Sequence, residues 1–247
     1  MRKLHDYAKK VYSQNGEDGI LEHIFGQIGT TNKKCIEMCA GVGSECNTAN
    51  LIINAGFEGL LYDGNKENVE HGRSFFESKG VGDKVRYIHK WITRSNTISD
   101  IISHNYAGEI DLLSLDMDGV DYWILKMLVV DTLVISPRVI VLEYNDIFGP
   151  ERSITVPYHP HFDGWTDNYG GPNYCGASLN AFVKLLKDEY KFVGCNEWGF
   201  NGFFVKRSFV AIPEVVDIEK ECFQFEKVKQ GMKFRWPRVQ HKQWVRV

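Results

Sequence analysis

Short apolar segments of strand length alternate five times with helical segments along the first 143 residues of the chain. The strands are predicted at 35–39, 59–63, 85–89, 111–116 and 138–143. The helices between them are predicted at 48–55, 68–78, 95–103 and 123–130. This alternation is typical of a parallel sheet covered by helices on both faces. Because crossovers between parallel strands are right-handed, few topologies remain open to the chain.

The segments before the first strand and after the fifth are predicted from the presence or absence of periodicity. Ile20, Ile24 and Ile28 recur at helical spacing, so a helix is expected over 18–28. Residues 145–176 have no periodicity and are rich in Pro, Gly, Asn, Asp and aromatic residues. An irregular loop of that length is usually functional or disordered, and its aromatic content argues against disorder.

The last predicted elements close the sheet. A helix over 178–190 is followed by a hairpin of strands at 191–195 and 202–206. The expected fold class is therefore an α/β, Rossmann-like sheet, mostly parallel, with a C-terminal antiparallel hairpin and helices on both faces. The whole chain is interpreted as one domain, with its core at about 11–206 and an extension at 207–247.

Composition excludes several classes of protein. Hydrophobic residues make up 43% of the chain and charged residues 25%, as in ordinary globular proteins, and no apolar run is long enough to span a membrane. The formal net charge of -3 carries no nucleic-acid-binding signature. The charged N-terminus lacks the apolar core of a secretory signal, so a cytoplasmic location is expected.

The cysteines are expected to be free thiols. The six of them form no Cys-x-x-Cys pair and no regular framework, which disfavours disulfides and a zinc site in a chain of this size. A metal cluster of Cys35, Cys39 and Cys46 is disfavoured because Cys35 begins a strand that should point its side chain into the core.

The C-terminal residues carry a local excess of positive charge. From Lys227 onward there are seven Lys or Arg residues and no acid, with Phe234, Trp236 and Trp244 between them. A polyanion-binding patch is one interpretation. A basic terminal strand packed by its aromatic residues is favoured, because charge runs are usually solvated faces. A monomer and a homodimer formed through this strand both remain open.

Glycines and an acid follow the first two strands. Gly41 and Gly43 let the backbone after the first strand approach a ligand closely, and Asp63 ends the second strand, where a carboxylate can accept hydrogen bonds from a ribose diol. The alternatives are a simple tight turn and a helix N-cap role for Asp63. Cys46 occupies the third glycine position of the dinucleotide motif, so a nucleoside cofactor other than NAD is favoured.

A second group of acids follows the fourth and fifth strands. Neighbouring parallel strands lie ~5 Å apart, so acids at their ends can share one ion. Asp116, Glu143 and Asn145 would supply hard oxygen ligands suited to Mg²⁺ or Mn²⁺. The alternative, weighted equally, is that Asp118 and Asp121 cap the next helix while Asp116 contacts only the cofactor.

The long loop contains candidates for proton transfer and for stacking. His159 and His161 have a side-chain pKa suited to accepting a hydroxyl proton, although a surface position or a metal-ligand role is equally open to them. Trp165, Tyr169 and Tyr174 are candidates to stack on a sugar ring, and their alternative is ordinary packing.

Four segments together carry a family resemblance. Residues 12–18 (YSQNGED), 41–47 (GVGSECN), 62–64 (YDG) and 116–122 (DMDGVDY) resemble the motif set of FkbM-like sugar O-methyltransferases, which are class I S-adenosylmethionine-dependent enzymes. The resemblance covers about residues 11–206 and extends to the methyltransferase domain of a virus-encoded protein that builds a capsid glycan. It implies methyl transfer from S-adenosyl-L-methionine to a sugar hydroxyl of a glycan such as a rhamnose-containing one, and a location in the host cytoplasm if the chain is viral.

The resemblance also implies site residues. The N-terminal segment would contact the methionine end of the cofactor, and residues 89–92 would flank the adenine. The expected cofactor-binding set is Gln14, Glu17, Asp18, Glu37, Ala40, Gly41, Gly43, Ser44, Asn47, Asp63, Gly64, His89, Lys90, Trp91 and Asp116. The strand endings and the long loop, rather than the resemblance, give the expected catalytic set of Asp116, Asp118, His159 and His161.

Two other functions use the same sheet. One is a nucleotide-binding oxidoreductase, which would bind NAD rather than S-adenosylmethionine. The other is a non-catalytic glycan-binding module on a degenerate methyltransferase fold. Fold alone does not choose among these functions, so the choice depends on the two groups of strand endings.

Overall fold

The computed structural model of the chain describes residues 2–165 and 173–247. Its strands are β1 Lys34–Met38, β2 Glu58–Asp63, β3 Val85–His89, β4 Gly108–Leu115, β5 Ile135–Glu143, β6 Ile154–Thr155, β7 Tyr190–Cys195, β8 Asn201–Lys206 and β9 Val245–Arg246. Its α-helices are α1 Glu17–Ile28, α2 Ala49–Ala55, α3 Lys66–Ser78, α4 Thr97–Ser103, α5 Asp121–Leu125, α6 Leu179–Leu186, α7 Ile218–Cys222, α8 Glu226–Phe234 and α9 Trp236–Val239. Each strand and helix predicted up to residue 206 is present, with shifted ends.

The main sheet has the order β3-β2-β1-β4-β5-β8-β7. Strands β1 to β5 are parallel, and β8 runs antiparallel between β5 and β7. This confirms the predicted fold class. The strand order reverses between β1 and β4, and in open α/β sheets ligands bind in the crevice at such a switch point, beyond the carboxyl ends of the strands.

Both faces of the sheet are apolar, as helix-covered parallel strands require. Along β5, Ile140 and Leu142 belong to the core on one face, whereas Val139 and Val141 belong to the core on the other. All four are fully buried. The sheet therefore fixes the positions of its strand ends rigidly.

Four of the differences from the predicted elements are the clearest. β4 and β5 begin at Gly108 and Ile135, about three residues before the predicted starts. The helix predicted over 178–190 ends at Leu186, because the chain turns there and enters β7 at Tyr190. Helix α5 continues as a π-helical turn over Lys126–Asp131.

The C-terminal segment is largely helical, so the predicted basic strand is wrong. Only Val245 and Arg246 pair as a strand, with Thr155 and Ile154. Val228 and Gly231, spaced three apart in α8, are buried, which is helical rather than strand periodicity. The packing by tryptophans was predicted correctly: Trp236 and Trp244 lie against Phe148, with ring centroids 5.5 and 4.8 Å away.

All six cysteines lie in the described ranges and are free thiols, as predicted. Cys35 is buried, and its thiol donates a hydrogen bond to the Glu58 carbonyl. Within residues 2–165 and 173–247, no helix is long and apolar enough to cross a membrane.

Candidate functional site

Two adjoining cavities lie at the carboxyl edge of the parallel strands. The large cavity has a volume of about 1060 Å³ and extends from the end of β2 to the ends of β4 and β5. The small cavity, of about 290 Å³, lies beside the turn after β1. Four residues line both, namely Gln14, Cys39, Asp116 and Glu143. The two predicted groups of strand endings therefore face one composite cleft.

The two glycines after β1 have different surroundings. Both have positive φ, +59° at Gly41 and +77° at Gly43, a conformation that costs residues with a Cβ atom. A Cβ atom on Gly41 would meet no atom within 4 Å, and Gly41 lines the small cavity. A Cβ atom on Gly43 would lie 3.0 Å from the Phe76 ring of α3. Gly41 thus leaves space for a ligand, whereas Gly43 is required for packing.

Asp63 ties the turn after β1 to the start of α3. Its carboxylate accepts hydrogen bonds from the Gly41 amide at 2.9 Å, the Asn65 amide at 2.8 Å and the Asn68 side chain at 3.2 Å. The N-cap of α3 is Asn65, so the alternative role of Asp63 as N-cap is wrong. Asp63 also lines the large cavity, where its remaining lone pairs can accept further hydrogen bonds.

Glu37 organises the start of α2. Its carboxylate accepts hydrogen bonds from the Asn47 and Thr48 amides, both at 2.9 Å, and from the Thr48 hydroxyl at 2.6 Å. Burial raises the pKa of Glu37, and these hydrogen bonds oppose that rise. Asn47 donates its side-chain amide to Ser114. Both Glu37 and Asn47 line the small cavity.

The N-terminal segment places two of its three predicted residues in the cleft. Gln14 lines both cavities and Glu17 lines the small one. Asp18 lines neither, because its Oδ2 atom accepts three backbone hydrogen bonds from residues 11–13 at 2.8, 2.6 and 2.8 Å. Asp18 therefore holds this segment in shape and does not line the cleft.

Some of the remaining predicted cofactor-binding residues line a cavity and others do not. Those that line a cavity are Ala40, Gly64, Lys90 and Trp91. Those that line neither cavity are Gly43, Ser44 and His89. His89 lies within 3.1 Å of the Gly64 carbonyl, and the Trp91 indole donates to the Pro160 carbonyl at 2.9 Å. Trp91 thus connects this wall of the cleft to the long loop.

Asp116 and Glu143 form a hydrogen-bonded pair of carboxyl groups. Leu115 and Leu142 pair in register, so the next residue of each strand stands at the same edge. Burial raises the pKa of Asp116 to about 7, and burial together with the Asp116 charge raises the pKa of Glu143. Burial therefore favours the uncharged, protonated form of both carboxyl groups.

Asp118 joins this pair to make a group of three. Ligand atoms of Asp116, Asp118 and Glu143 lie within 4.8 Å of one another. Asp118 has a left-handed backbone, with φ of 49°, and its Oδ2 atom accepts a hydrogen bond from the Trp165 indole at 2.9 Å. Burial raises the pKa of Asp118. Three hard oxygen donors at this spacing fit the coordination preferences of Mg²⁺ or Mn²⁺.

Asp121 and Asn145 serve the backbone near this group. Asp121 accepts hydrogen bonds from the Met117 amide at 2.7 Å and the Gly119 amide at 3.0 Å, and burial raises its pKa to about 6. Asn145 receives the Ile147 amide at 3.4 Å and donates to the Cys175 carbonyl at 3.1 Å. The acidic group therefore contains Asp118 where the sequence predicted Asn145.

The two histidines of the long loop lie outside the cleft. His159 and His161 are exposed, with ring centroids 6.0 Å apart, and neither lines the large or the small cavity. The loop instead contributes residues 162–165 to the large cavity. The structure therefore places both candidate bases outside these two cavities, because the chain turns inward only after His161.

The predicted stacking residues differ in position. Trp165 lines the large cavity and is 70% exposed. Tyr174 is buried, donates its hydroxyl to the Gln243 carbonyl at 2.5 Å and packs against Trp244, so it is a packing residue. Tyr169 lies outside the described residues.

Several cleft residues were not predicted from the sequence. Asn65 and Asn68 at the start of α3 line the large cavity. Phe200 and Asn201, at the entry to β8, line the small one. Asn201 pairs in register with Glu143. The predicted antiparallel hairpin was a usable signal, because it brings the first residue of β8 to the carboxyl edge of β5.

A third cavity connects the acidic group with the C-terminal segment. It has a volume of about 190 Å³ and is lined by Asp118, Glu143, Asn145 and Arg235, among others. Arg235 pairs with the buried Asp146 at 2.5 Å. The segment after residue 206 therefore contributes a wall of the site.

No family model and no curated protein matches the chain. Among solved structures, an O-methyltransferase from Bacillus cereus in complex with SAH (S-adenosylhomocysteine) is 14% identical, with a TM-score of 0.51 over 80% of this chain and 84% of that one. An S-adenosylmethionine-dependent methyltransferase from Clostridium acetobutylicum is 16% identical, with a TM-score of 0.47 over 77% and 89%. The N-terminal domain of EvdMO1, crystallised in the presence of SAH and D-fucose, is 14% identical, with a TM-score of 0.47 over 77% and 82%. The likeness to the Bacillus cereus protein shows that the chain has the fold of S-adenosylmethionine-dependent methyltransferases.

Proposed function

We propose that this chain is an S-adenosylmethionine-dependent O-methyltransferase of the FkbM-like type, whose acceptor is a sugar hydroxyl of a glycan. The observation that carries the proposal is the Asp116–Glu143 carboxyl pair, which faces the same cleft as Gly41 and Asp63 in a methyltransferase fold. A cofactor cradle and a proton acceptor thus stand side by side.

The cleft fits the cofactor at two positions. The open space beside Gly41 allows a ligand to approach the backbone after β1. Asp63 is oriented by three internal hydrogen bonds and can accept others from a ribose diol. The bound cofactor would supply an electrophilic methyl group on a sulfonium. The residues of this chain then need only to position the acceptor and remove its proton.

Asp116 and Glu143 would remove that proton. General-base catalysis is most effective when the pKa of the base is near the working pH, and the pKa of Asp116 is raised to about 7 by burial. Trp165 restrains Asp118 through its 2.9 Å hydrogen bond, which would keep this third carboxylate beside the acceptor.

The same three carboxylates fit a divalent ion. Asp116, Asp118 and Glu143 would hold Mg²⁺ or Mn²⁺ in place of the proton that the pair shares. Such an ion would lower the pKa of the acceptor hydroxyl. The proton-transfer form and the ion-assisted form use the same residues and differ in their response to a chelator.

The sugar acceptor is supported by the walls of the large cavity. Trp91 and Trp165 line it and are 45% and 70% exposed, so flat indole surfaces face the cleft. Amide and carboxylate groups stand beside them, supplied by Asn65, Asn68 and Asp118. Aromatic surface combined with a few convergent polar groups is suited to a polyhydroxylated ring.

The test is methyl transfer from isotopically labelled S-adenosylmethionine to a panel of oligosaccharides that includes rhamnose-containing ones. The reaction is run with Mg²⁺ or Mn²⁺ and with EDTA. We expect one methyl group on a sugar oxygen, detected by mass spectrometry. Loss of turnover in EDTA supports the divalent ion, and indifference to EDTA contradicts it. Binding of NAD without binding of S-adenosylmethionine would overturn the proposal in favour of an oxidoreductase.

A further inference from the structure

One segment of the long loop, residues 158–165, is attached to the protein at both of its ends, and we call it the strap. At its first end, the Trp91 indole donates a hydrogen bond to the Pro160 carbonyl at 2.9 Å. The Arg94 amide donates to the Tyr158 hydroxyl at 2.9 Å, and the Arg94 guanidinium lies over the Tyr158 ring, 5.5 Å from its centroid. The first end is therefore fixed to the segment that follows β3.

The second end of the strap packs against the turn that follows β4. A Cβ atom on Gly119 would lie 3.0 Å from the Phe162 ring, which is 6% exposed. A Cβ atom on Gly164 would overlap the carbonyl oxygen of Asp118. Gly164 is buried, and its φ is not in the left-handed region. Glycine is thus needed at 164 for close contact between two backbones and not for an unusual backbone angle.

This contact determines where Trp165 meets Asp118. Trp165 follows Gly164 directly, and its indole donates to the Asp118 carboxylate at 2.9 Å. The Asp163 carboxylate accepts the Trp165 amide at 3.0 Å, which fixes the turn that carries the indole. The strap therefore contacts Asp118 twice, at its main chain through Gly164 and at its side chain through Trp165.

We infer that Gly164 is a positioning residue, which seats the strap on the turn after β4 and thereby places Asp118 beside the acceptor. The inference rests on the proposed function and deepens it. Asp116 directly follows β4, so the sheet sets its position. Asp118 stands further along, in the turn, where the strap supplies the contacts described above. Reacting groups lose much of their effect when they are displaced by about 1 Å, so the seating of the strap should govern turnover.

The first measurement concerns the Trp165 indole. In protein labelled with ¹⁵N-tryptophan, each of the six tryptophans gives one indole signal in the NMR spectrum. The Trp165 signal is the one that Trp165→Phe removes. Gly164→Ala should move this signal toward that of a water-exposed indole, because the added methyl group forces the strap away from Asp118. Gly26→Ala is the matched control, since a Cβ atom at this exposed position of α1 meets no atom within 4 Å, and it should leave the signal in place.

The second measurement separates the reaction from cofactor binding. In Gly164→Ala, kcat for methyl transfer should fall roughly 10- to 100-fold. The Kd for S-adenosylhomocysteine, measured by calorimetry, should stay within about threefold of the wild-type value. Adding Trp165→Phe to Gly164→Ala should cost less than Trp165→Phe costs in the wild type, because both changes act through Asp118. A purely structural role of Gly164 would give additive losses.

Two results overturn the inference. One is a Trp165 signal that Gly164→Ala leaves unchanged, and the other is a variant whose turnover persists or falls only in proportion to its cofactor affinity. If Gly164→Ala does not fold, Gly119→Ala takes its place, because its methyl group would press on the Phe162 ring from the side of the turn. A wild type that binds no S-adenosylhomocysteine overturns the proposed function, and the indole signal then still decides whether Gly164 positions Asp118.

Discussion

The carboxylates at the ends of β1 and β2 differ from those at the ends of β4 and β5 in what they contact. Glu37 and Asp63 accept hydrogen bonds from backbone amides, so they hold loops in shape. Asp116 and Glu143 contact each other, and burial raises the pKa of both. The carboxylates of the first half thus already have backbone hydrogen-bond donors as partners. Those of the second half are available for proton transfer or for binding an ion.

Each half of the cleft has one residue with a strained backbone just after a strand. Cys39 after β1 has φ of 64° and Asp118 after β4 has φ of 49°, although neither is glycine. Such conformations cost about 1–3 kcal/mol each and cluster at functional sites. The strain places Cys39 and Asp118 on the wall of the cleft.

Among the substitutions that test this comparison, Asp116→Asn is expected to have the largest effect, a loss of turnover. The amide keeps the shape of the side chain. It cannot take up the proton of the sugar hydroxyl, and it binds a divalent ion only weakly. We expect turnover to fall by about 10²- to 10⁴-fold, the usual contribution of a general base. Asp83→Asn, the same change at an exposed acid before β3, is the control and should leave turnover unchanged. A loss of less than about tenfold in Asp116→Asn would contradict the assigned role.

The second effect concerns stability against pH. The pKa of a free carboxyl is about 4, and folding raises that of Asp116 to about 7. The folded state then binds the proton more tightly, so the stabilisation is full below about pH 4 and is lost as the pH rises through about 7. In EDTA, the wild type should lose on the order of 4 kcal/mol relative to Asp116→Asn across this window. Parallel urea-denaturation curves for the two proteins would contradict the shared proton.

A third effect separates the two glycines of the cofactor half. Both alanine variants strain a left-handed backbone by about 1–2 kcal/mol. Gly41→Ala also places a methyl group in the small cavity, so the Kd for S-adenosylhomocysteine should rise roughly tenfold. Gly43→Ala instead forces the Phe76 ring to move, so its free energy of unfolding should fall by about 1–3 kcal/mol more than that of Gly41→Ala. The reverse pattern, measured by calorimetry and denaturation, would exclude the assigned cradle.

The smallest effect is expected from Trp165→Phe. This change keeps an aromatic surface but removes the indole donor to Asp118. Because Trp165 is largely exposed, the lost hydrogen bond should lower kcat/KM for the acceptor only about fivefold, or ~1 kcal/mol. Trp198→Phe, at the exposed turn between β7 and β8, is the matched control. Equal effects in the two variants would show that Trp165 has no special contact with the reaction site.

The fold was predictable because strands buried on both faces are almost continuously apolar, as β5 is. Pro137 hid the start of that strand, since proline is rare inside sheets. It is tolerated because β8 pairs with β5 only from Val139 onward, which leaves one side of Pro137 without a neighbouring strand. The helical tail was not predicted, because only two of the nine residues in α8, Val228 and Gly231, are buried and they leave a weak helical pattern among the charges.

Site residues were predictable where the register of parallel strands sets their positions. They were not predictable where the path of a loop sets them. Asp116 and Glu143 follow residues that pair in register, so their proximity could be inferred. Asp118 was predicted as a catalytic residue but not as a third member of the possible ion-binding group, because that place depends on its left-handed backbone. His159 and His161 lie outside the cavities because residues 162–165 form the cavity wall in their place. No local sequence pattern encodes that path of the loop.

The most direct measurement is calorimetric titration of S-adenosylhomocysteine into the wild type, Asp63→Asn and Asp116→Asn. Both variants make the same chemical change, one in each half of the cleft. We expect the wild type to bind, Asp63→Asn to bind at least about tenfold more weakly, and Asp116→Asn to stay within about threefold. Absence of binding to the wild type, or an equal loss in both variants, would contradict the division of the cleft into a cofactor half and a reaction half.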